Sequence, residues 1–176
     1  MVGGSGGPPM SSSDRERPTH MDQPDRADTA RGILDAQLYL VLATADADGR
    51  PWSTPVYYAH HGPSELFWVS SPDATHSRNI AVRPEVGIVV FDSGAPISTG
   101  QGVYMPATAA EVVDEDDLSR GTDVFSRRSL SHGGVAWTPA DVQGDTGLRL
   151  YRAVAESHSV LAKDGAPDHR IDVDLG

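Results

Sequence analysis

The chain has 176 residues, 38% of them apolar, and a formal net charge of −11 from 25 acidic and 14 basic side chains. Nucleic-acid binding needs a basic face, so this balance excludes nucleic acid as an expected partner. Cysteine is absent, which excludes disulfides and thiolate chemistry. Because no apolar run reaches the length of a membrane span and no secretion signal is evident, we expect a cytoplasmic protein without membrane contact.

The first 26 residues differ in composition from the rest of the chain. They are rich in Gly, Pro, Ser and charged residues and contain almost nothing to bury. Such a stretch cannot offset the entropy lost on ordering. We therefore predict a disordered tail over residues 1–26 and one folded domain over residues 27–176.

The first predicted elements form a helix and a hairpin. Apolar residues at helical spacing predict a short helix over 29–36, and the run LYLVLATA predicts a strand over 38–45. The segment DADG at 46–49 predicts a turn, because its glycine can adopt the positive φ that a hairpin needs. The returning strand covers 51–60. Pro55 within it excludes a fully central position in a sheet and indicates a bulge or an unpaired site.

The remaining elements are also mainly strands. We predict strands at 65–71, at 85–92, where both faces are apolar and expected to be buried, and at 100–113. A helix capped by Asp114 follows, then two strand-like stretches within 147–165 and a last short strand. Antiparallel neighbours joined by short turns favour a closed or nearly closed barrel, because closure removes exposed strand edges.

The junction after the third strand concentrates hydrogen-bond donors. Residues 70–78 read SSPDATHSR, and we predict a short helix that begins near Ser71 or Asp73 as cap and stops before Pro84. A helix start offers unpaired amides and a positive dipole end, which suits a phosphate. The alternative is a short capped helix that only connects two strands. We expect His76, in the first turn, to lie near the surface.

Other candidate sites are weak. The seven histidines lack the spacing of a metal site, so no metal is predicted. The acidic run from Asp114 to Asp117 fits the first turn of a helix better than a calcium site. Tyr57, Tyr58 and His132 are candidate pocket-lining residues, and no side chain is assigned as a catalytic acid or base.

The order of these features resembles the flavin-binding split barrel of the pyridoxamine 5′-phosphate oxidase family. The shared pattern consists of the turn DADGRP, a second strand bearing TPV, an aromatic third strand, a short helix, and P-x-V leading into an apolar strand. It spans roughly residues 38–92. The resemblance implies a mainly β protein, a six- to seven-stranded antiparallel split β-barrel with a few short helices that forms a homodimer.

The resemblance also implies a cofactor site. In this family FMN lies between two subunits, and the second and third strands supply backbone and hydroxyl contacts. The matching positions here are Thr54, Pro55, Val56, Val69 and Ser70. The family holds the phosphate with an Arg–Lys pair or a lone lysine, which aligns with Thr75 and His76, and Arg78 one turn along is a further cation.

This departure from the family pattern leaves alternatives open. Thr75 donates only one hydrogen bond, and a histidine is only partly charged near neutrality. We predict an FMN-dependent oxidoreductase acting on a small molecule that the sequence does not specify. The alternatives are an F420-dependent reductase of the same fold and a cofactor-free dimeric binding module. Arg149 and Arg152 occur without the expected tryptophan, so oxidation of vitamin B6 itself is not predicted.

Overall fold

The computed structural model describes residues 23–176. Of the tail predicted over residues 1–26, residues 1–22 lie outside the described residues. The first helix begins at Gln23 rather than near position 29, so it includes the last four residues of that predicted tail. The described elements follow in the order α1 (Gln23–Ala36), β1 (Tyr39–Ala45), β2 (Pro51–Tyr57), β3 (Ala59–His61), β4 (Glu65–Ser70), α2 (Thr75–Val82), β5 (Glu85–Phe91), β6 (Gly102–Glu111), α3 (Glu115–Ser131), a 3₁₀ turn (Pro139–Val142), β7 (Arg149–Ala155), β8 (Ser159–Leu161) and β9 (Arg170–Asp172).

The strands of the described range form one antiparallel sheet. Its main order is β2-β1-β5-β6-β7-β4-β3, and β8 pairs with β6 and β9. Only Tyr58 separates β2 from β3 in the chain, although these two strands lie at opposite ends of that order. The sheet must therefore curl until its ends meet, and β2 indeed contacts β4. This confirms the predicted antiparallel split barrel, with nine strands instead of six or seven because β3, β8 and β9 are short.

The first hairpin folds as its sequence predicts. Gly49 has a φ of 83°, and its amide donates to the Asp46 carbonyl at 2.9 Å. β2 pairs with β1 alone within the described sheet. Pro55 therefore lies on an edge strand, opposite Val41, where its missing N–H leaves no gap in a central ladder.

The core lies inside the curled sheet and follows the two-residue period of the strands. In β4, Leu66 and Trp68 are buried in the barrel core, whereas Phe67 packs into a second cluster beneath α3. The prediction that β5 is buried on both faces is wrong. Its alternate residues are buried, but Gly87 and Phe91 are exposed, because α3 covers a different part of the outer surface.

Helix α3 packs closely on that outer surface. Asp114 caps it as predicted, accepting hydrogen bonds from the amides of Asp116 and Asp117. A Cβ atom added at Gly121 would lie 2.7 Å from Leu150 Cδ2 and 2.9 Å from Phe67 Cε1. Glycine therefore permits the close approach of α3 to β4 and β7.

The end of α1 is held by side chains from elsewhere in the chain. The Tyr58 hydroxyl donates to the Leu34 carbonyl at 2.7 Å. Arg128 of α3 reaches the same helix end and donates from Nη2 to the carbonyls of Asp35 and Gln37 at 3.0 and 2.7 Å. Terminal carbonyls of a helix have no partner within the helix, so these contacts satisfy groups that would otherwise be unpaired.

Candidate functional site

Helix α2 closes one end of the barrel through polar contacts with three strands. His76 Nε2 lies 2.9 Å from Ser70 Oγ at the end of β4. Asn79 Nδ2 donates to Thr44 Oγ1 of β1 at 3.0 Å. Ser77 lies next to Tyr151 of β7. Since these residues are buried, the helix is fixed in both position and rotation.

The start of α2 has no side-chain cap. Its N-cap residue is Ala74, so the prediction that Ser71 or Asp73 caps the helix is wrong. Ser71 instead closes the preceding turn, where its hydroxyl accepts from the Asp73 amide at 3.1 Å. The first-turn amides consequently receive no bond from a capping side chain, which is the arrangement that suits an anion.

Two further predicted residues lie at this helix start. Thr75 occupies the first turn and is half-buried, while Arg78 is exposed. The Arg78 guanidinium turns back along the helix, donating to the main-chain oxygen of Asp73 and approaching Thr75 Oγ1 at 3.5 Å. A cation therefore lies beside the uncapped amides, in a chain whose overall charge is strongly negative.

The environment of His76 differs from the expectation. Its exposed fraction is 7%, so the expectation that it lies near the surface is wrong. Burial lowers the pKa of His76, which favours the neutral imidazole. A neutral ring has one N–H to donate, and Ser70 is the partner that positions it. The signal for this burial was present in the sequence, because His76, Asn79 and Ile80 share one helical face.

The predicted residues of β2 and β4 divide between two faces. Thr54 and Val56 lie opposite the core residues Leu42 and Leu40, so they face the barrel interior. Val56 packs against the core, and β2 contacts both α2 and β4. Ser70 shares the inner face with Trp68, whereas Pro55 and Val69 are on the outer face, Val69 packing beneath α3.

The structure thus brings four predicted residues together at the start of α2: Ser70, Thr75, His76 and Arg78. The edge strand β2 lies alongside with the side chains of Thr54 and Val56, and Pro55 and Val69 contribute only through their main chains. Sequence reasoning missed Thr44 and Asn79. An asparagine on the buried face of a short helix was the available signal, but its partner is 35 positions away in the chain.

The candidate pocket-lining residues lie elsewhere. Tyr58 has no exposed surface, and its hydroxyl is used at the end of α1. Tyr57 packs edge to face against Phe125, with ring centroids 5.5 Å apart. His132 ends α3, where its Nδ1 lies 2.9 Å from the Arg128 carbonyl. Local hydrogen bonding accounts for Tyr58 and His132, whereas the Tyr57 ring is packed but its buried hydroxyl has no hydrogen-bond partner among the described residues.

Within residues 23–176 there is no group of three or more His, Asp or Glu side chains arranged to hold a metal ion. No helix in that range combines the length and apolarity needed to cross a membrane.

Comparisons with known proteins agree with this architecture. The family model described as pyridoxamine 5′-phosphate oxidase matches residues 27–157. The comparison with curated proteins found no match.

Three solved structures show the same fold at low sequence identity. HutZ, the heme storage protein from Vibrio cholerae, is 21% identical with a TM-score of 0.59, over 75% of this chain and 90% of its own. An F420 reductase is 20% identical with a TM-score of 0.55, over 74% and 95%. An FAD-binding protein from Mesorhizobium loti is 21% identical with a TM-score of 0.56, over 76% and 92%.

Proposed function

Because this chain belongs to the pyridoxamine 5′-phosphate oxidase family, we propose that it is an FMN-binding oxidoreductase that holds the cofactor phosphate at the start of α2. The observation that carries the proposal is the uncapped first turn of α2, with Ser70, Thr75, His76 and Arg78 around it. When bound, FMN would supply hydride or electron transfer to a small-molecule substrate. The protein's part is to bind, orient and shield it.

The phosphate would be held mainly by neutral donors. The Thr75 hydroxyl offers one hydrogen bond, and the Ser70–His76 pair, whose members are bonded to each other, offers one more, while Arg78 adds the positive charge. Charge-assisted hydrogen bonds are roughly twice as strong as neutral ones. We therefore expect FMN binding to depend on the phosphate, and to be weaker than in a protein where two cationic side chains hold that phosphate.

The flavin ring would lie along the edge strand β2. Apart from β1, this strand has no hydrogen-bonded neighbour in the described sheet. The main-chain N–H and C=O groups on its other edge are therefore unpaired within the sheet, and they face β4, which β2 contacts without pairing. A flat ring can hydrogen-bond to such a row, with Thr54 and Val56 beside it. This supports the placement of the ring next to the phosphate site.

The homodimer belongs to the same proposal and is supported by the outer face of the sheet. Tyr39, Phe91 and Val154 lie on that face and are 59%, 44% and 43% exposed, and exposed Ala43 and Pro106 lie among them. A contiguous apolar face of this kind marks an interaction site.

The dimer can be tested by sedimentation, which should show a dimer for the parent protein and dissociation for Phe91→Glu. Leu130→Glu, at an exposed position on α3, should leave it intact, and a monomeric parent would contradict the assignment.

The cofactor is tested by titration with FMN and with riboflavin, which carries the same ring without the phosphate. Arg78→Ala should weaken FMN binding about fivefold, corresponding to about 1 kcal/mol for a charge-assisted contact at an exposed position. Riboflavin binding should be unchanged. Arg83→Ala is the matched control, since Arg83 is exposed at the opposite end of α2. Equal FMN affinity in the two variants would refute the phosphate assignment.

The same titration separates the alternatives. Binding of F420 in preference to FMN supports the deazaflavin reductase, for which the missing lysine at the phosphate position is the favouring observation. Binding of hemin instead of either would place this chain with HutZ, whose name records heme storage. A protein that binds none of the three, yet sediments as a dimer, is the binding module.

A further inference from the structure

A second concave site lies on the other flank of α2. Residues four apart share a flank of a helix, so Thr75 and Asn79 face β1 and β2, while Ser77 and Ala81 face the opposite way. On that side a cleft of about 400 Å³ opens between α2, the end of β6 and Tyr151 of β7. Among the residues predicted from sequence, only Arg78 lines it.

The walls of the cleft are largely apolar. Prolines at both ends of the helical segment and small or aliphatic side chains from α2 and β6 form most of the surface. These residues are Pro72, Ile80, Ala81, Pro84, Ala109 and Ala110. Small-molecule sites are typically ~300–1,000 Å³ in volume and mainly apolar, with a few polar groups that fix orientation. The cleft has both properties.

Its polar groups are few and converge. Ser77 and Tyr151 are 3% exposed, and burial raises the pKa of the Tyr151 phenol, so both present neutral hydroxyls. Glu111 is paired with Arg149 Nε at 3.4 Å, which offsets its negative charge. Arg78 donates to a main-chain oxygen and a hydroxyl rather than to a carboxylate. Arg78 is therefore the one cation among the residues that line the cleft, and it has no carboxylate partner there.

We propose that this cleft binds a small, mainly apolar molecule carrying one carboxylate. The apolar walls would take the body of the ligand, the two buried hydroxyls would orient it, and Arg78 would face its charge. The cleft and the proposed cofactor site lie on opposite flanks of α2 but share Arg78. Binding to the cleft is therefore measured in the protein without added FMN.

Three probes with one ring and different charges test the proposal: benzoate, benzyl alcohol and benzylamine. In amide NMR spectra of the full chain, benzoate should give saturable shifts within residues 77–84 and 109–111. Its affinity should exceed that of benzyl alcohol and benzylamine by about fivefold or more, as expected for one charge-assisted contact. Arg78→Gln should remove this preference.

A blocking variant gives the decisive comparison. Ala81→Trp fills the cleft from an exposed helix position, while Val82→Trp places the same ring on the outer side of α2, where Val82 is 62% exposed. Benzoate shifts should disappear only in the first. If Ala81→Trp does not fold, Ala110→Phe blocks from the β6 side. The proposal is overturned if benzoate fails to bind at millimolar concentration, if benzylamine binds as well, or if blocking leaves the shifts unchanged.

Discussion

The hydrogen bond between Asn79 and Thr44 should hold α2 in its place and can be tested by a double-mutant cycle. Both side chains are 5% exposed, and their polar atoms are 3.0 Å apart. Asn79→Ala removes the donor and leaves a buried hydroxyl unpaired, which costs about 1–3 kcal/mol of unfolding free energy. Thr44→Val leaves the buried amide unpaired at a similar cost. In the double variant Thr44→Val/Asn79→Ala neither the unpaired hydroxyl nor the unpaired amide remains.

The cycle is measured by urea denaturation of the four proteins. The double variant should lose about 1–2 kcal/mol less than the sum of the single losses, because each single loss includes the same broken bond. Thr108→Val, on the exposed face of β6, should change stability by less than about 0.5 kcal/mol. If the loss in the double variant equals the sum of the two single losses, the hydrogen bond contributes nothing to stability and another contact holds α2 in place.

The same variants connect stability with the proposed cofactor site. If Asn79 positions the start of α2, Asn79→Ala should weaken FMN binding in a protein that is still folded at the assay temperature. Riboflavin binding, which does not involve the phosphate, should change less. Equal losses for the two ligands would mean that the pair supports the barrel as a whole rather than the helix start.

Three further predictions follow from packing and burial. Gly121→Ala should destabilise the protein by about 1–2 kcal/mol, because overpacking against α3 outweighs the gain in helix propensity. Gly32→Ala, which has open space around it, should stabilise by about 0.5–1 kcal/mol, and destabilisation by both would refute the packing argument. Arg128→Met should lower the free energy of unfolding by about 2 kcal/mol by freeing the carbonyls at the end of α1, as urea denaturation would show; an unchanged midpoint would contradict this. The lowered pKa of buried His76 means that the unfolded chain takes up a proton first as pH falls below ~6.5, so stability falls there. His76→Gln should show a shallower loss between pH 8 and 5.5, and parallel profiles would exclude His76 as the source.

The elements that the sequence predicts well are those determined within a few residues. The hairpin over 38–60 follows from a glycine that reaches positive φ, and the cap at Asp114 from a carboxylate beside free amides. Helix α2 stops before Pro84 because the residue preceding a proline avoids helical geometry. Each signal acts locally, so no knowledge of the remaining chain is needed.

What the sequence predicts poorly depends on distant partners. The apolar residues of β5 suggest a strand buried on both faces, but the curl of the sheet leaves one face without cover. A serine before Pro72 suggests a cap, but its hydroxyl is already used by the turn before the helix. The partners of His76 and Asn79 come from β4 and β1, and their pairing depends on the strand order, which local patterns do not specify.

The candidate site depends both on local sequence and on contacts between distant residues, and these together determine its chemistry. Local sequence places a helix start after β4, whereas the barrel buries His76 against Ser70 and keeps its imidazole neutral. With Thr75 uncharged as well, Arg78 is the one permanent cation among the four residues gathered there. Since a charge-assisted hydrogen bond is worth about 1.5–3 kcal/mol and a neutral one about 0.5–1.5, replacing a cationic pair by Thr75 and His76 costs roughly 2 kcal/mol. A loss of that size would weaken phosphate binding at the proposed site about 30-fold, so we expect the proposed cofactor to exchange rather than to stay permanently bound.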